Sequence, residues 1–300
     1  MGLLLVVGKG GVGKTSVAAT LAVAAARTGR SVLIADVDGR HGAAAAFGVH
    51  DLSYGERELV AAAPGRGRIA ARTITADDAL VEYLADHGMG RLARKLASNG
   101  VVDVIATATP GIKDLLVLGK VKQLVTEAKH DLVILDTPAS GHAVTFLRSA
   151  GALARSVSSG RIRRQADEVL SLVGDHARCR VVLVTIAEET PVNETIETAF
   201  TLEDEIGVAL MPVVVNAVLD VPLPVPAGAL ARLDPAERTA MTGALAVERS
   251  RAEAQEVQRH RLAAALPLAQ VILPERAGTR LVAADFEALS DAFHKSLADL

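Results

Sequence analysis

Residues 8–16 read GKGGVGKTS. Four glycines, Gly8, Gly10, Gly11 and Gly13, surround Val12 and two lysines, and Thr15 and Ser16 close the stretch with hydroxyls. Glycines let backbone N–H groups curl inward around phosphate oxygens. The spacing Gly8-x-x-x-x-Gly13-Lys14-Thr15 fits a phosphate-binding loop, in which Lys14 meets the β- and γ-phosphates and Thr15 offers its hydroxyl to Mg²⁺. The plain alternative is a glycine-rich turn that binds nothing. One lysine is enough for the phosphate, so Lys9 needs a separate reason.

Three aspartates have the chemistry to complete such a site. Asp36 and Asp38 stand two residues apart at the end of SVLIADVDG (31–39), on the same side of an extended chain. Asp136 ends DLVILD, four apolar residues followed by an aspartate, a Walker B form that holds Mg²⁺ directly or through water. Asp38 is the candidate for orienting an attacking water in line with the γ-phosphate; the alternative is a helix N-cap or turn aspartate.

These groups need a scaffold. LLLVV (3–7) reads as a buried strand ending at Gly8, and TSVAATLAVAAARTG reads as a helix with Gly29 as its stop. The loop therefore sits between a strand and a helix N-terminus, whose dipole favours anions. Further apolar runs predict strands at 31–39, 131–136, 179–190, 211–218 and 269–278. The run at 211–218 carries Asn216 near its end, and that at 269–278 carries Pro274 and Glu275, which join the nucleotide-contact candidates. Strand–helix alternation predicts an α/β fold: a mostly parallel twisted sheet flanked by helices, in one P-loop domain over 1–300. Residues 50–128 read as mostly helical, with VVDVIATAT (101–109) ambiguous. With 151–178 they are expected to form a helical subdomain on the core. VPLPVPAG (221–228) is expected to be a surface connector.

Composition narrows the function classes. The chain has 300 residues, half of them hydrophobic, enough for one large α/β domain. A net charge of −3 provides no basic field, so nucleic acid is not an expected partner. The single cysteine, Cys179, allows no intrachain disulfide, and no CxxC offers a zinc or iron–sulfur site. The N-terminal apolar run is too short for a signal peptide, and no run approaches the roughly 20 residues of a transmembrane helix. A soluble, cytoplasmic protein is expected.

The second lysine finds its reason in a resemblance. KGGVGKT resembles the deviant Walker A motif of a class of dimeric ATPases, in which the first lysine, here Lys9, reaches the partner subunit's nucleotide. Within that class the chain resembles the ArsA-type family, which includes the arsenite-pump and tail-anchored-protein-targeting ATPases, and looks most like an actinobacterial branch. DTPASGH (136–142) is similar to the family's switch II, PGIKDLLVLGKV (110–121) to its PGIDEA helix, and IAEETPVNET (186–195) to its strand followed by a YET helix. VVVNAV (213–218) is similar to the strand whose asparagine, here Asn216, reads adenine. The resemblance implies ATP and Mg²⁺ as ligands, ATP hydrolysis, a homodimer or a heterodimer with a paralogue, and a protein client. It places Asp38 at the family's switch I aspartate and adds Asp36, as in the MinD and ParA branch. Arsenite-binding cysteines, the zinc clasp and the methionine-rich client groove have no counterpart here, so client identity does not transfer.

Other features carry two readings each. His41 and His142, in the two switch segments, read as hydrogen-bonding supports before bases. RIRR (161–164) with Arg155 reads as a solvated helix face before a basic docking patch. The helix at 112–125, with Lys113, Lys120 and Glu127 in line, reads as buried before a client surface. The last helix, with Phe286, Leu289, Phe293 and Leu297 on one face and four acids against Lys295, reads as core packing and not as a lipid anchor. The leading functional reading is an ATP-driven dimeric switch. A MinD/ParA-like spatial organiser is the alternative, followed by an ATP-dependent ligase or synthetase.

Overall fold

The computed structural model describes residues 2–37, 42–91, 111–138, 140–219, 226–230, 232–278 and 280–300. Asp38, His41, the ambiguous stretch 101–109 and residues 221–225 of the proline-rich break lie outside them.

Nine strands form one sheet among the described residues. They are β1 (Gly2–Val7), β2 (Val32–Val37), β3 (Arg57–Val60), β4 (Ile69–Ile74), β5 (Leu132–Asp136), β6 (Cys179–Ile186), β7 (Ala209–Leu210), β8 (Val213–Val218) and β9 (Gln270–Pro274). Their order is β3-β4-β2-β5-β1-β6-β8-β9, with β7 beside β6. Every pairing is parallel except β3 with β4. Parallel strands are covered on both faces, which is why they read as continuous apolar runs. Alternation sorts their side chains: Leu3, Leu5, Val7, Leu33, Ala35 and Leu135 enter one apolar cluster. Leu4, Val6, Ile34 and Ile134 enter the other.

The helices are α1 (Lys14–Ala26), α2 (Gly42–Ala46), α3 (Ala76–Asp86), α4 (Ile112–Glu127), α5 (Ser140–Ser156), α6 (Arg161–Val173), α7 (Glu189–Thr201), α8 (Ala227–Leu230), α9 (Pro235–Ala265) and α10 (Ala283–Ala298). α1 and α10 cover one face of the sheet and pack on each other. α3 to α6 pack together as a helical lobe over the other face. Leu115, Leu118, Phe146 and Val169 of that lobe belong to the same cluster as Leu5 and Leu33 of the sheet.

The region 50–128 departs from the helical reading. Residues 57–60 and 69–74 are strands, and β4 pairs with β2 in full register from Val32↔Ile69 to Val37↔Ile74. The helical lobe therefore begins with α3, not near residue 50. β4 reads IAARTI, and its Arg72 and Thr73 interrupt any apolar run although both are buried. Tertiary partners make that burial tolerable. The Arg72 guanidinium stacks 4.5 Å from the Tyr54 ring, and the Thr73 hydroxyl donates to the Asp36 carbonyl at 3.3 Å.

The helix at 112–125 is largely buried, including Lys120, which pairs with Glu82 at 2.7 Å. An apolar groove of about 320 Å³ still opens between α3, α4 and α6, lined by Leu80, Tyr83, Ile112, Leu116 and Ile162 among others. On α6, Arg163 pairs with Asp167 one turn on and donates to the Ala154 carbonyl, so it is engaged within its own surface. Phe286 and Leu289 of α10 are core residues and Phe286 stacks on Phe47, whereas Leu297 near the helix end is exposed. α9 is 31 residues long and begins in a capping box built by Asp234 and Glu237. Among its residues only Ala252 and Leu262 are buried, so its first half stands off the body.

Candidate functional site

The site forms where three neighbouring strands end. β1 runs directly into the glycine loop, and α1 starts at Lys14. Gly13 is the residue before the helix and has φ 88°, a left-handed value that an L side chain resists. A Cβ there would also stand 2.3 Å from Asn216 Nδ2, and one at Gly8 would stand 2.2 Å from the Val184 carbonyl oxygen. The loop is thus pressed against β6 and β8 from behind, which leaves its other side to face the cavity.

Register brings the carboxylates to the same place. Asp36 on β2 is the register partner of Asp136 on β5, and Asp136 is the partner of Val6 on β1. Asp36 shares a strand face with Ile34 and Asp136 with Ile134, so both point to the face carrying α1. Both are buried. Thr15 Oγ1, in the first turn of α1, donates to Asp136 Oδ2 at 2.5 Å. Thr137 holds the strand end by donating to the Val6 carbonyl at 2.7 Å.

A cavity of about 260 Å³ lies at this convergence. Gly10, Gly11, Gly13, Lys14, Thr15, Asp36, Val37, Asp136 and Thr137 line it. Lys14 is buried, and its Nζ donates to the Lys9 carbonyl across the loop at 3.2 Å. Val37 and Gly42 flank residues 38–41; Val37 lines this space, and Gly42 packs on Thr15, where an added Cβ would meet Cγ2 at 2.8 Å. Ser16 follows in α1, with its carbonyl accepting from the Thr20 hydroxyl at 2.9 Å.

The donor set suits Mg²⁺ bound with a nucleoside triphosphate. Mg²⁺ is usually held by one or two carboxylates plus phosphate oxygens, not by an all-protein cage. One hydroxyl and two carboxylates beside a glycine loop match that pattern, and no cluster of three acids, histidines or cysteines occurs among the described residues.

The remaining candidates stand apart from the cavity. Lys9 does not line it; its ammonium pairs with Glu194 of α7 at 2.6 Å. Asn216 lies behind the loop, where Nδ2 donates to the Val12 carbonyl at 3.0 Å. Pro274 pairs in register with Val218, and Glu275 N–H donates to the Val218 carbonyl at 2.9 Å. They sit beside the end of β8 and contribute nothing to the phosphate cavity. His142 is exposed in the first turn of α5. Glu194 is the residue that sequence reasoning did not single out, although it lies within the quoted ET pair of 186–195; its partner is 185 residues away.

Comparison with known proteins gives the family. A family model described as anion-transporting ATPase, of the ArsA type, matches residues 1–173. ATPase BagA of Mycobacterium tuberculosis is 35% identical over 202 residues, 65% of this chain and 59% of that protein. ATPase GET3 of Chaetomium globosum is 29% identical over 157 residues, 52% of this chain and 44% of that protein. A putative arsenical pump-driving ATPase of Halobacterium salinarum is 27% identical over 235 residues, 72% of this chain and 35% of that protein. The matched stretch spans 59% of the first of these relatives, under two thirds of its length.

Proposed function

The chain belongs to the ArsA-type ATPase family, and from that premise we propose that it is an ATP-hydrolysing switch that works as a dimer. In this reading Mg-ATP binding and hydrolysis control engagement of a protein client or partner. The observation that carries the reading is the convergence of Lys14, Thr15, Asp36 and Asp136 on one cavity at the mouth of a glycine loop.

The backbone of residues 10–13 and the first turn of α1 hold the phosphates. Lys14 moves from the Lys9 carbonyl to the β- and γ-oxygens. Thr15, Asp36 and Asp136 would hold Mg²⁺, partly through water. When bound, the metal would neutralise charge on the β- and γ-phosphates. Asp38, one residue beyond the cavity-lining Val37, orients the attacking water. Asn216 reads the base, with Pro274 and Glu275 at the neighbouring strand end. Lys9 serves the partner subunit's nucleotide, where a dry interface strengthens its charge.

The partner is an identical subunit or a paralogue. The apolar groove between α3, α4 and α6 is the surface offered to a client. No described helix is long and apolar enough to cross a membrane. The halobacterial relative is named for driving an arsenical pump; this chain has one cysteine, and it is buried.

The test is Lys14→Ala. A folded variant should lose nucleotide binding or turnover, measured by titration calorimetry and phosphate release. Normal turnover in that variant overturns the phosphate-loop assignment.

A further inference from the structure

We propose that Gln255 is a positioning residue for base recognition, holding the left-handed turn at Ala217 that orients Asn216. The proposal rests on the reading that Asn216 meets the nucleotide base. It adds a residue from a different part of the chain, 39 positions beyond Asn216.

β8 does not end as a regular strand. Its register with β9 shifts between Val215 and Val218, which places Asn216 and Ala217 in a bulge. Ala217 has φ 55°, and among the described residues only Ala128 shares a positive φ without being glycine. The left-handed region brings Cβ against the following carbonyl, so alanine holds it only when its surroundings impose it.

Gln255 is that surrounding. Its Nε2 donates to the Ala217 carbonyl at 3.1 Å, and its Oε1 accepts from the Leu219 N–H at 2.8 Å. One side-chain amide therefore spans the turn with a donor and an acceptor, as a neighbouring strand would. Gln255 sits on α9 between the two residues of that helix that are buried, Ala252 and Leu262, so the clamp is anchored in the packed half of α9. One turn earlier, Arg251 approaches Glu275 at 3.8 Å. The same helix thus reaches both strand ends beside the base-reading residue.

The turn decides where the Asn216 amide points. Nδ2 now donates one hydrogen to the Val12 carbonyl of the phosphate loop. An asparagine amide offers a donor and an acceptor that match N7 and N6 of adenine. If Ala217 relaxed to negative φ, the strand end would rotate, and Asn216 would lose both Val12 and the base. A glycine at 217 tolerates the same φ without a clamp.

That difference supplies the test. Gln255→Met keeps the side-chain length and removes both hydrogen bonds. Affinities for ATP and for inorganic tripolyphosphate are measured by calorimetry on the full chain. Gln255→Met should weaken ATP by about tenfold and leave tripolyphosphate within about twofold. Adding Ala217→Gly should bring ATP back to within about threefold of the parent. Unchanged ATP affinity in Gln255→Met, equal loss of both ligands, or no rescue by Ala217→Gly overturns the clamp. Should Gln255→Met not fold, Ala217→Gly must restore its thermal transition, and failure to do so also overturns it. Asn216→Ala tests the premise separately. It should abolish the preference for ATP over tripolyphosphate, and if it does not, base reading by Asn216 fails on its own account.

Discussion

The ammonium of Lys9 lies 2.6 Å from Glu194 Oε1 of the same chain. The residue proposed to act on a partner's nucleotide is therefore held at home by a carboxylate on α7. Both side chains are about one-third exposed, so the pair is a weak hold that dimer closure can exchange for phosphate.

Glu194→Gln keeps the shape and removes the charge. Nucleotide-dependent dimerisation should then occur at lower protein concentration, by about threefold to fivefold, since an exposed pair contributes about 1 kcal/mol or less. Sedimentation velocity with a non-hydrolysable ATP analogue measures it. An unchanged or weaker dimer would show that Glu194 does not restrain Lys9.

Lys9→Ala should spare nucleotide binding by the separate subunit but impair hydrolysis and closure. Mixing excess Lys9→Ala subunits with Asp38→Asn subunits should restore activity at one site. There the Lys9→Ala subunit supplies its own Asp38 and receives the partner's Lys9. If mixed dimers form without activity, Lys9 acts within its own chain; a subunit that pairs only with a paralogue requires the same mixing with that paralogue.

Asp38→Asn should keep ATP affinity and slow single-turnover hydrolysis at least about tenfold, a loss of about 1.4 kcal/mol of transition-state stabilisation. Unchanged kinetics would move the role to Asp36 or another residue.

Gly13→Ala combines a strained φ of 88° with a 2.3 Å contact to Asn216. It should destabilise the fold by about 1–3 kcal/mol and abolish nucleotide binding. Adding Asn216→Ala removes the contact but not the strain, so recovery of stability in urea melts should be partial. Full recovery would assign the whole cost to crowding.

Acid should weaken the tie between α3 and α4. Burial works to raise the Glu82 carboxyl, but hydrogen bonds from Lys120 and Tyr54, with the Lys120 and Arg72 charges, outweigh it and hold its pKa below the usual carboxylate range. The stabilisation is therefore complete above the unfolded value of about 4.3 and is lost as pH falls through the lower folded value. Glu82→Gln should cost about 1–3 kcal/mol at neutral pH, because buried Lys120 loses its counter-charge and a charge-assisted hydrogen bond. That cost should shrink below about pH 4. Denaturation curves with the same separation at every pH would remove Glu82 from the account.

The parts of the candidate site that follow chain order, as elements and positions, were legible in the sequence. β1, β2, β5, β6, β8 and β9 are apolar runs because sheet interiors demand them, and the loop and both described aspartates sit at their ends. β4 escaped because Arg72 and Thr73 look like surface residues until Tyr54 and Asp36 are seen beside them. α9 carries no continuous apolar stripe, since only Ala252 and Leu262 of its residues are buried. Lys9–Glu194, Asn216–Val12 and Gln255–Ala217 join residues 185, 204 and 38 positions apart, and no local pattern encodes such partners.

Cys179 is fully buried in β6, and burial, with Asp175 nearby, pushes its thiol pKa up to about 12. A buried thiol held in its protonated form is a poor nucleophile, so thiol-directed dyes should ignore it in the folded chain. The protein also lacks tryptophan. With no tryptophan and one buried thiol, it leaves the tryptophan-fluorescence and thiol-labelling channels open to an introduced reporter. A Glu248→Cys substitution on the exposed half of α9 would carry the only reactive sulfur, with the native cysteine left in place. Subunits labelled there with donor and with acceptor dyes would turn nucleotide-driven association into an energy-transfer signal, followed in real time as ATP is added.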